Sequence, residues 1–104
     1  MKPSIKYISE SEAVEMVGKG WEQLVRKIYN AKIGLGIPVG IIQVKEKFGT
    51  LRFYYRGGDE YVRGVVDMAE NMSSITCEAC GNPGECIDGG WIRTLCEEHV
   101  MKKI

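Results

Sequence analysis

The chain has 104 residues, 44% of them hydrophobic and 27% charged, and its formal net charge is zero. These values indicate one small globular domain and exclude a protein that is strongly basic throughout. No apolar run approaches the ~20 residues of a membrane span, and residues 1–17 lack the apolar stretch of a signal peptide. We therefore expect a cytoplasmic protein without a membrane segment.

Charge is unevenly placed along the chain. Residues 1–56 carry ten Lys and Arg against five Asp and Glu, a balance of +5, whereas residues 57–104 carry four against nine, a balance of −5. The first half therefore has room for a locally basic site. The alternative interpretation is two ordinary solvated surfaces of opposite sign.

Two helices are predicted before residue 38. Ser9, followed by Glu10 and Glu12, favours the start of a short helix that runs to about Val17. A longer helix follows, because apolar residues then recur at helical spacing until glycine and proline end the pattern over 34–38. Its apolar stripe consists of Trp21, Leu24, Val25, Ile28 and Tyr29.

Residues 39–56 predict a β-hairpin. Its strands, 41–48 and 51–56, flank Gly49-Thr50, and glycine at the first central position favours a type II′ turn. That turn pairs Phe48 with Leu51 and Lys47 with Arg52. One face should then join the core, with Glu46 unexplained on it unless it lies at the rim. The predicted core face consists of Ile42, Val44, Phe48, Leu51, Phe53 and Tyr55.

The other face of this hairpin is a candidate ligand-binding surface. We call it the basic face, and its residues are Gln43, Lys45, Lys47, Arg52, Tyr54 and Arg56. Like charges opposite each other across two strands are unfavourable, and a bound phosphate of a nucleic acid or nucleotide, or an acidic protein surface, would offset that cost. Tyr54 could stack on a base. The alternative is a solvated face that protects against edge aggregation.

A further helix and a cysteine-rich segment complete the chain. The helix is predicted over about 59–71, with an apolar stripe of Val62, Val65, Val66, Ala69 and Met72. The pattern C-x2-C-x15-C-x2-H then places Cys77, Cys80, Cys96 and His99 at a spacing typical of structural Zn²⁺ sites. Cys86 could replace His99 as the fourth ligand, or be a half-buried thiol.

The surroundings of these cysteines predict a treble-clef-like zinc module. Residues 77–81 have the form of a zinc knuckle, short strands are expected near 85–87 and 91–94, and a terminal helix over 95–103 would carry Cys96 and His99. Trp91 either covers the zinc site or is an exposed contact residue. The predicted fold class is α+β: helix, β-hairpin, helix and zinc module. We expect residues 1–75 and 76–104 to pack as one domain.

The same cluster argues against catalysis. Four protein ligands close the coordination shell and leave no position for a metal-bound water. The only histidine in the sequence, His99, is one of those ligands, so no residue of that type remains for acid–base work. We therefore expect a protein that is not an enzyme.

Several strings of the sequence carry a resemblance to a known family. They are Gly20-Trp21, QVKEKFGTLRFY over 43–54, CEACGNPG over 77–84 and GGWIRTLCEEH over 89–99. Over about residues 20–99 the chain resembles a family of small zinc-knuckle proteins encoded by phages, prophages and bacteria. The family pattern lacks a counterpart of Cys86, which implies His99 as the ligand.

The resemblance also implies a context. A phage or prophage protein of this size would be an accessory protein that acts on a host component in the bacterial cytoplasm. Two functions are compatible with it. The first is binding of a phosphate-bearing ligand, nucleic acid or nucleotide, on the basic face. The second is an anti-defence role, in which the protein is an interaction module that inhibits a host protein.

Overall fold

The computed structural model describes residues 7–35, 39–88 and 90–101. In chain order the elements are α1 (Glu10–Glu15), a 3₁₀ turn (Lys19–Trp21), α2 (Glu22–Leu35), β1 (Val39–Lys47), β2 (Thr50–Gly57), α3 (Glu60–Ser73), β3 (Glu85–Asp88), β4 (Ile92–Leu95) and α4 (Glu97–Met101). β1 pairs with β2 and β3 with β4, as two separate antiparallel hairpins. The predicted α+β class is confirmed. Predictions for residues 1–6, 36–38 and 102–103 lie outside the described residues.

Local side-chain contacts explain where α1 begins and how it meets α2. The Ser9 hydroxyl accepts the Glu12 N–H, and the Glu12 carboxylate accepts the Ser9 N–H at 3.1 Å, which is a capping box. Arg26 on α2 then reaches Glu10 on α1 at 2.6 Å and Glu22 at 3.2 Å. The pair with Glu10 links α2 to α1, whereas the pair with Glu22 lies within α2; both are half-exposed, so their energetic gain is modest.

A single apolar core joins α2, the first hairpin and α3. The stripe predicted for α2 is buried as a whole, and the rings of Tyr29 and Phe53 meet edge to face with centroids 6.1 Å apart. The core consists of Ala13, Trp21, Leu24, Val25, Ile28, Tyr29, Val39, Ile41, Val44, Leu51, Phe53, Val62, Val66 and Ala69. Among the stripe residues predicted for α3, Met72 is the exception, because it is 39% exposed and Ser73 is buried instead.

The predicted register of the first hairpin is wrong. Its two-residue loop is Phe48-Gly49, and the last pair before the loop is Lys47 with Thr50. Both loop residues have positive φ, 53° and 80°, which is the type I′ geometry. A left-handed phenylalanine costs roughly 1–2 kcal/mol, so a rule based on glycine alone places the turn one residue too late.

The register error preserves the two faces of the hairpin. The observed pairing differs from the predicted one by two residues near the turn, and a shift of two leaves every side chain on its original side. Beyond that, a bulge between Ile41 and Gln43 places Ile41 in the core where Ile42 was predicted. Phe48, predicted in the core, is 65% exposed in the turn.

Side chains of α3 accept hydrogen bonds from backbone N–H groups on the outer edge of β2. The Leu51 N–H donates to the Ser73 hydroxyl at 2.8 Å, and the Phe53 N–H donates to the Glu70 carboxylate at 2.8 Å. Ser73 is therefore buried because it is needed as an acceptor for a strand N–H that has no strand partner. This arrangement covers an edge that would otherwise be open to pairing with another chain.

Candidate metal centre and basic face

The first two cysteines of the cluster come from a tight turn that follows α3. The Cys77 N–H donates to the Asn82 carbonyl at 2.8 Å, and the Gly81 N–H donates back to the Cys77 carbonyl at 2.8 Å. Gly81 has a φ of 88°, a conformation that L side chains rarely adopt. The turn aims two thiols at one point, as the sequence pattern predicts for a zinc knuckle.

The second pair comes from the junction of β4 and α4. Cys96 follows the last residue of β4, and its carbonyl accepts the Val100 N–H at 3.0 Å, so the helix begins directly after it. His99 lies three residues later on the same face of the helix. Its Nδ1 atom is 3.1 Å from the Cys96 sulfur.

All four ligand atoms converge. The sulfurs of Cys77, Cys80 and Cys96 and a ring nitrogen of His99 lie within 4.8 Å of one another. The Cys80 and Cys96 sulfurs are 3.7 Å apart, and the Cys77 sulfur is 3.6 Å from the His99 Nδ1. Cys86 is exposed on β3 and is not part of this group. The four side chains could therefore hold a metal ion, with His99 rather than Cys86 as the fourth ligand.

The thiols in this cluster are electrostatically unequal. Burial raises the pKa of Cys77, but hydrogen bonds from the backbone of Cys96, Ala79 and Cys80 and from the Cys96 side chain outweigh it and bring the pKa to about 6. A hydrogen bond from the Asn82 backbone lowers the pKa of Cys80, yet desolvation and the neighbouring thiols raise it overall. Negative charge is thus favoured first at Cys77, and a bound cation would favour it at the other thiols as well.

The knuckle is docked on the loop between α1 and α2. The Gly20 N–H donates to the Glu78 carbonyl at 2.9 Å, and the Trp21 indole N–H donates to the Thr76 carbonyl at 2.9 Å. A Cβ at Gly20 would overlap the Cys77 carbonyl oxygen and lie 2.6 Å from the Gly81 nitrogen. The Gly20-Trp21 pair therefore has a physical role, which is close contact with the backbone of residues 76–81.

The tip of the first hairpin is docked on the second hairpin. The Thr94 hydroxyl donates to the Gly49 carbonyl at 2.6 Å, and Thr94 in turn accepts the Glu78 N–H at 3.0 Å through its own carbonyl. A Cβ at Gly49 would lie 3.2 Å from the Arg93 backbone. The strand β4 is thus in direct contact with the turn that carries Phe48.

One partly buried charged pair was not anticipated from the sequence. The Arg93 guanidinium pairs with Glu78, the residue that follows the first ligand, and Glu78 is only 8% exposed. Its second carboxylate oxygen is buried and has no hydrogen-bond partner among the described residues. The pair lines a cleft of about 480 Å³ that Met16 and Trp91 also border. Spacing alone carries no signal for such a pair, because the two residues lie fifteen positions apart on different elements.

The observed register places the basic-face residues on one side of the first hairpin. Gln43 lies opposite Tyr54, and Lys45 lies opposite Arg52, whereas the predicted pair of Lys47 with Arg52 does not occur. The alternating residues are buried, so this side faces away from the core. The Lys45 ammonium is 5.6 Å from the centre of the Tyr54 ring, within reach of a cation–π interaction.

The structure also settles the positions of Glu46 and Trp91. Glu46 lies on the core side at the rim, and its carboxylate accepts the Gly49 N–H at 2.8 Å, so it stabilises the turn. Trp91 is 73% exposed, which agrees with the contact-residue alternative and not with a cover over the metal centre.

The chain was compared with known proteins and structures. No protein-family model, no curated protein and no solved structure matches the chain. Within the described ranges, no helix has the length and apolar character needed to cross a membrane.

Proposed function

We propose that this chain is a small, non-enzymatic zinc protein of the phage or prophage type whose basic face binds a phosphate-bearing ligand, a nucleic acid or nucleotide, in the bacterial cytoplasm. The observation that carries the proposal is the pair of Lys45 and Arg52, directly opposite each other on an outward face. Lys47 and Arg56 extend the same face, and Tyr54 lies between the cations. An anion between the strands would relieve the repulsion and gain charge-assisted hydrogen bonds.

Zinc is the metal that best fits the donor set. Three thiolates and one imidazole are typical of structural Zn²⁺ sites. A tetrahedron with Zn–S bonds of about 2.3 Å and a Zn–N bond of about 2.0 Å has S–S edges of about 3.8 Å and S–N edges of about 3.5 Å. The observed separations of 3.7 Å between the Cys80 and Cys96 sulfurs, and 3.6 Å between the Cys77 sulfur and the His99 Nδ1, are close to these values. The 3.1 Å between the Cys96 sulfur and the His99 Nδ1 is shorter than a tetrahedral S–N edge.

The role proposed for the metal is structural. With four protein ligands, the shell has no open position at which water could be activated. The one histidine of the chain belongs to the ligand set. The basic face offers cations and the Tyr54 ring, which suit binding rather than proton transfer.

Charge reversal on the basic face tests this proposal. The double variant Lys45→Glu/Arg52→Glu should lose binding of a fluorescein-labelled oligodeoxythymidylate in an anisotropy titration, and wild-type affinity should fall with salt by about 0.7 log units per log unit for each phosphate contacted. Arg63→Glu is the matched control, because Arg63 is an exposed cation on α3. Zinc content, measured by metal analysis, should be the same in all three proteins. The proposal would be contradicted if the double variant bound as tightly as the wild type, or if wild-type affinity did not change with salt concentration.

A second candidate function rests on a different surface. On the outer side of α3, apolar side chains recur at helical spacing and are exposed: Tyr61, Met68, Met72 and the following Ile75. Such a stripe suits a protein partner, and the candidate partner is a host defence protein that this chain would inhibit. A defined host protein that binds at high salt, and is released by Met68→Glu but not by the Lys45→Glu/Arg52→Glu pair, would favour this candidate.

A further inference from the structure

The two most exposed large apolar side chains of the described residues lie beside each other. Trp91 is 73% exposed and Phe48 is 65% exposed. They come from different hairpins, yet they line one shared cleft of about 320 Å³, together with Lys47 and Ile92. The contact between Gly49 and Thr94 brings them together, because it fixes the tip of the first hairpin against β4. We call this pair the aromatic cleft.

Phe48 is unfavourable at its position on two counts. It exposes an aromatic ring to water, and its φ of 53° lies in the left-handed region, where glycine or asparagine is the usual residue of a type I′ turn. Neither feature helps the fold. Strained residues of this kind concentrate at binding and catalytic sites, where the side chain is needed more than the conformation is favoured.

The charge around the aromatic cleft indicates what it would bind. The Lys47 ammonium is 5.7 Å from the centre of the Phe48 ring, and the basic face begins at this residue. One acidic group, Glu46, also borders the cleft, but its carboxylate is bonded to the Gly49 N–H. A ligand that passes from the basic face to the aromatic cleft would therefore meet cations first and the two exposed rings next.

We infer that the aromatic cleft stacks the bases of single-stranded nucleic acid whose phosphates lie along the basic face. The inference rests on the proposed function and specifies its ligand class. Aromatic rings beside a cationic track are the usual means of binding single strands, because every base has a face that can stack. In a duplex those faces are already stacked on one another, so single strands should bind more tightly than duplexes.

Two substitutions test the aromatic cleft without disturbing the fold. Phe48→Gly should relieve the left-handed strain, so the thermal midpoint should stay the same or rise, while affinity for labelled oligodeoxythymidylate falls about tenfold, the loss of one stacked base. Trp91→Ala should weaken binding to a similar extent. Tyr61→Ala, an exposed aromatic on α3, is the matched control and should bind as the wild type does.

Fluorescence gives an independent readout. The chain has two tryptophans, of which Trp21 is fully buried and Trp91 is mostly exposed. Oligodeoxythymidylate should therefore quench the emission of Trp91 and protect it from iodide, and the Trp91→Ala variant should lose this response.

The outcomes separate this inference from the proposal that underlies it. If Phe48→Gly and Trp91→Ala bind like the wild type while Lys45→Glu/Arg52→Glu does not, the stacking inference is wrong and phosphate binding stands. Equal affinity for single strand and duplex would also overturn stacking. If neither oligonucleotide nor duplex nor nucleotide binds, both fail. A different result would be a purified host protein that the wild type binds at high salt and the aromatic variants do not bind. In that case the cleft is a protein-docking site and the inference is overturned.

Discussion

The two hairpins of this molecule are held in place by different means. The first, with strands of nine and eight residues, forms one wall of a core of fourteen buried apolar residues. The second has two strands of four residues, and among the described residues the buried cluster beside it has three members, Cys77, Leu95 and Cys96. A short hairpin with so little burial is marginal on its own. Two of the three buried residues are candidate metal ligands, so the metal is expected to supply what the core does not.

The two hairpins therefore have different roles. The first hairpin is held by the burial of its core face, and the basic face lies on its outer side. The second hairpin holds the tip of the first through the bond from Thr94 to Gly49 and contributes Trp91 to the aromatic cleft. If this comparison is right, loss of the metal should disorganise the tip and the cleft while the basic face survives.

The largest expected effect comes from removing the metal or one of its ligands. Chelation, or Cys77→Ser, should unfold residues 76–101, since structural zinc contributes about 10–16 kcal/mol of apparent binding free energy in zinc-finger peptides. Amide hydrogen exchange measured by NMR should show loss of protection in β3, β4 and α4. Protection in β1 and β2 should persist, because those strands are held by the apolar core.

Cys86→Ser is the matched control for that experiment. Cys86 is also a cysteine of the C-terminal region, but it is exposed and outside the ligand group. Its substitution should leave zinc content and protection unchanged. A chelated wild-type protein that kept full protection from β3 to α4 would show that burial, not metal, holds the second hairpin.

The next largest effect is expected at the contact between the two regions. Gly20→Ala places a methyl group against the Cys77 carbonyl and the Gly81 nitrogen, both of them backbone atoms that cannot rotate away. We expect a loss of about 2–3 kcal/mol in the free energy of unfolding, measured in urea, as for other overpacked sites. Gly64→Ala is the control: a Cβ there meets nothing within 4 Å, and alanine in a helix should stabilise by about 0.5–1 kcal/mol. Equal stability of the two variants would refute the close docking of the knuckle.

The same comparison explains which features the sequence could predict. The α2 stripe, the faces of the first hairpin and the convergence of Cys77, Cys80, Cys96 and His99 follow from periodicity and spacing, which are local properties. The position of the turn at Phe48-Gly49 does not follow from such local properties. Its position depends on the docking of Gly49 against β4 and on the acceptor that Ser73 offers to Leu51, and both are contacts between distant parts of the chain.

Burial was predictable only where one local pattern decided it. Met72 fits the apolar stripe of α3, but the adjacent Ser73 is buried because β2 needs a hydrogen-bond acceptor there. The Glu78–Arg93 pair and the aromatic cleft likewise arise from the way the two hairpins meet. Residues on such a junction carry no periodic signal, so sequence patterns alone could not assign them.

A smaller effect is expected from the support that α3 gives to the first hairpin. Ser73→Ala leaves the Leu51 N–H buried without its acceptor, which should cost about 1–3 kcal/mol of unfolding free energy. Ser74→Ala is the matched control, because the Ser74 hydroxyl bonds only locally to the Asn71 carbonyl, and the expected change is within about 0.5 kcal/mol. Hydrogen exchange at Leu51 should accelerate in the first variant alone. If both variants are equally stable, α3 does not protect this edge through Ser73.

The smallest effect at neutral pH is expected at Tyr29, whose ring packs against Phe53 in the core. Burial raises the pKa of its phenol to about 12 from an ordinary 10.0, so the folded protein holds this proton more tightly than the unfolded chain does. The resulting stabilisation is present below pH 10 and declines as the pH rises from about 10 to about 12. Tyr29→Phe should remove that part of the alkaline decline and, at neutral pH, cost about 1 kcal/mol for the hydrogen bond to the Ile8 carbonyl. Urea denaturation of both proteins across this pH range measures the difference, and parallel declines would show that the phenol is not buried in the core.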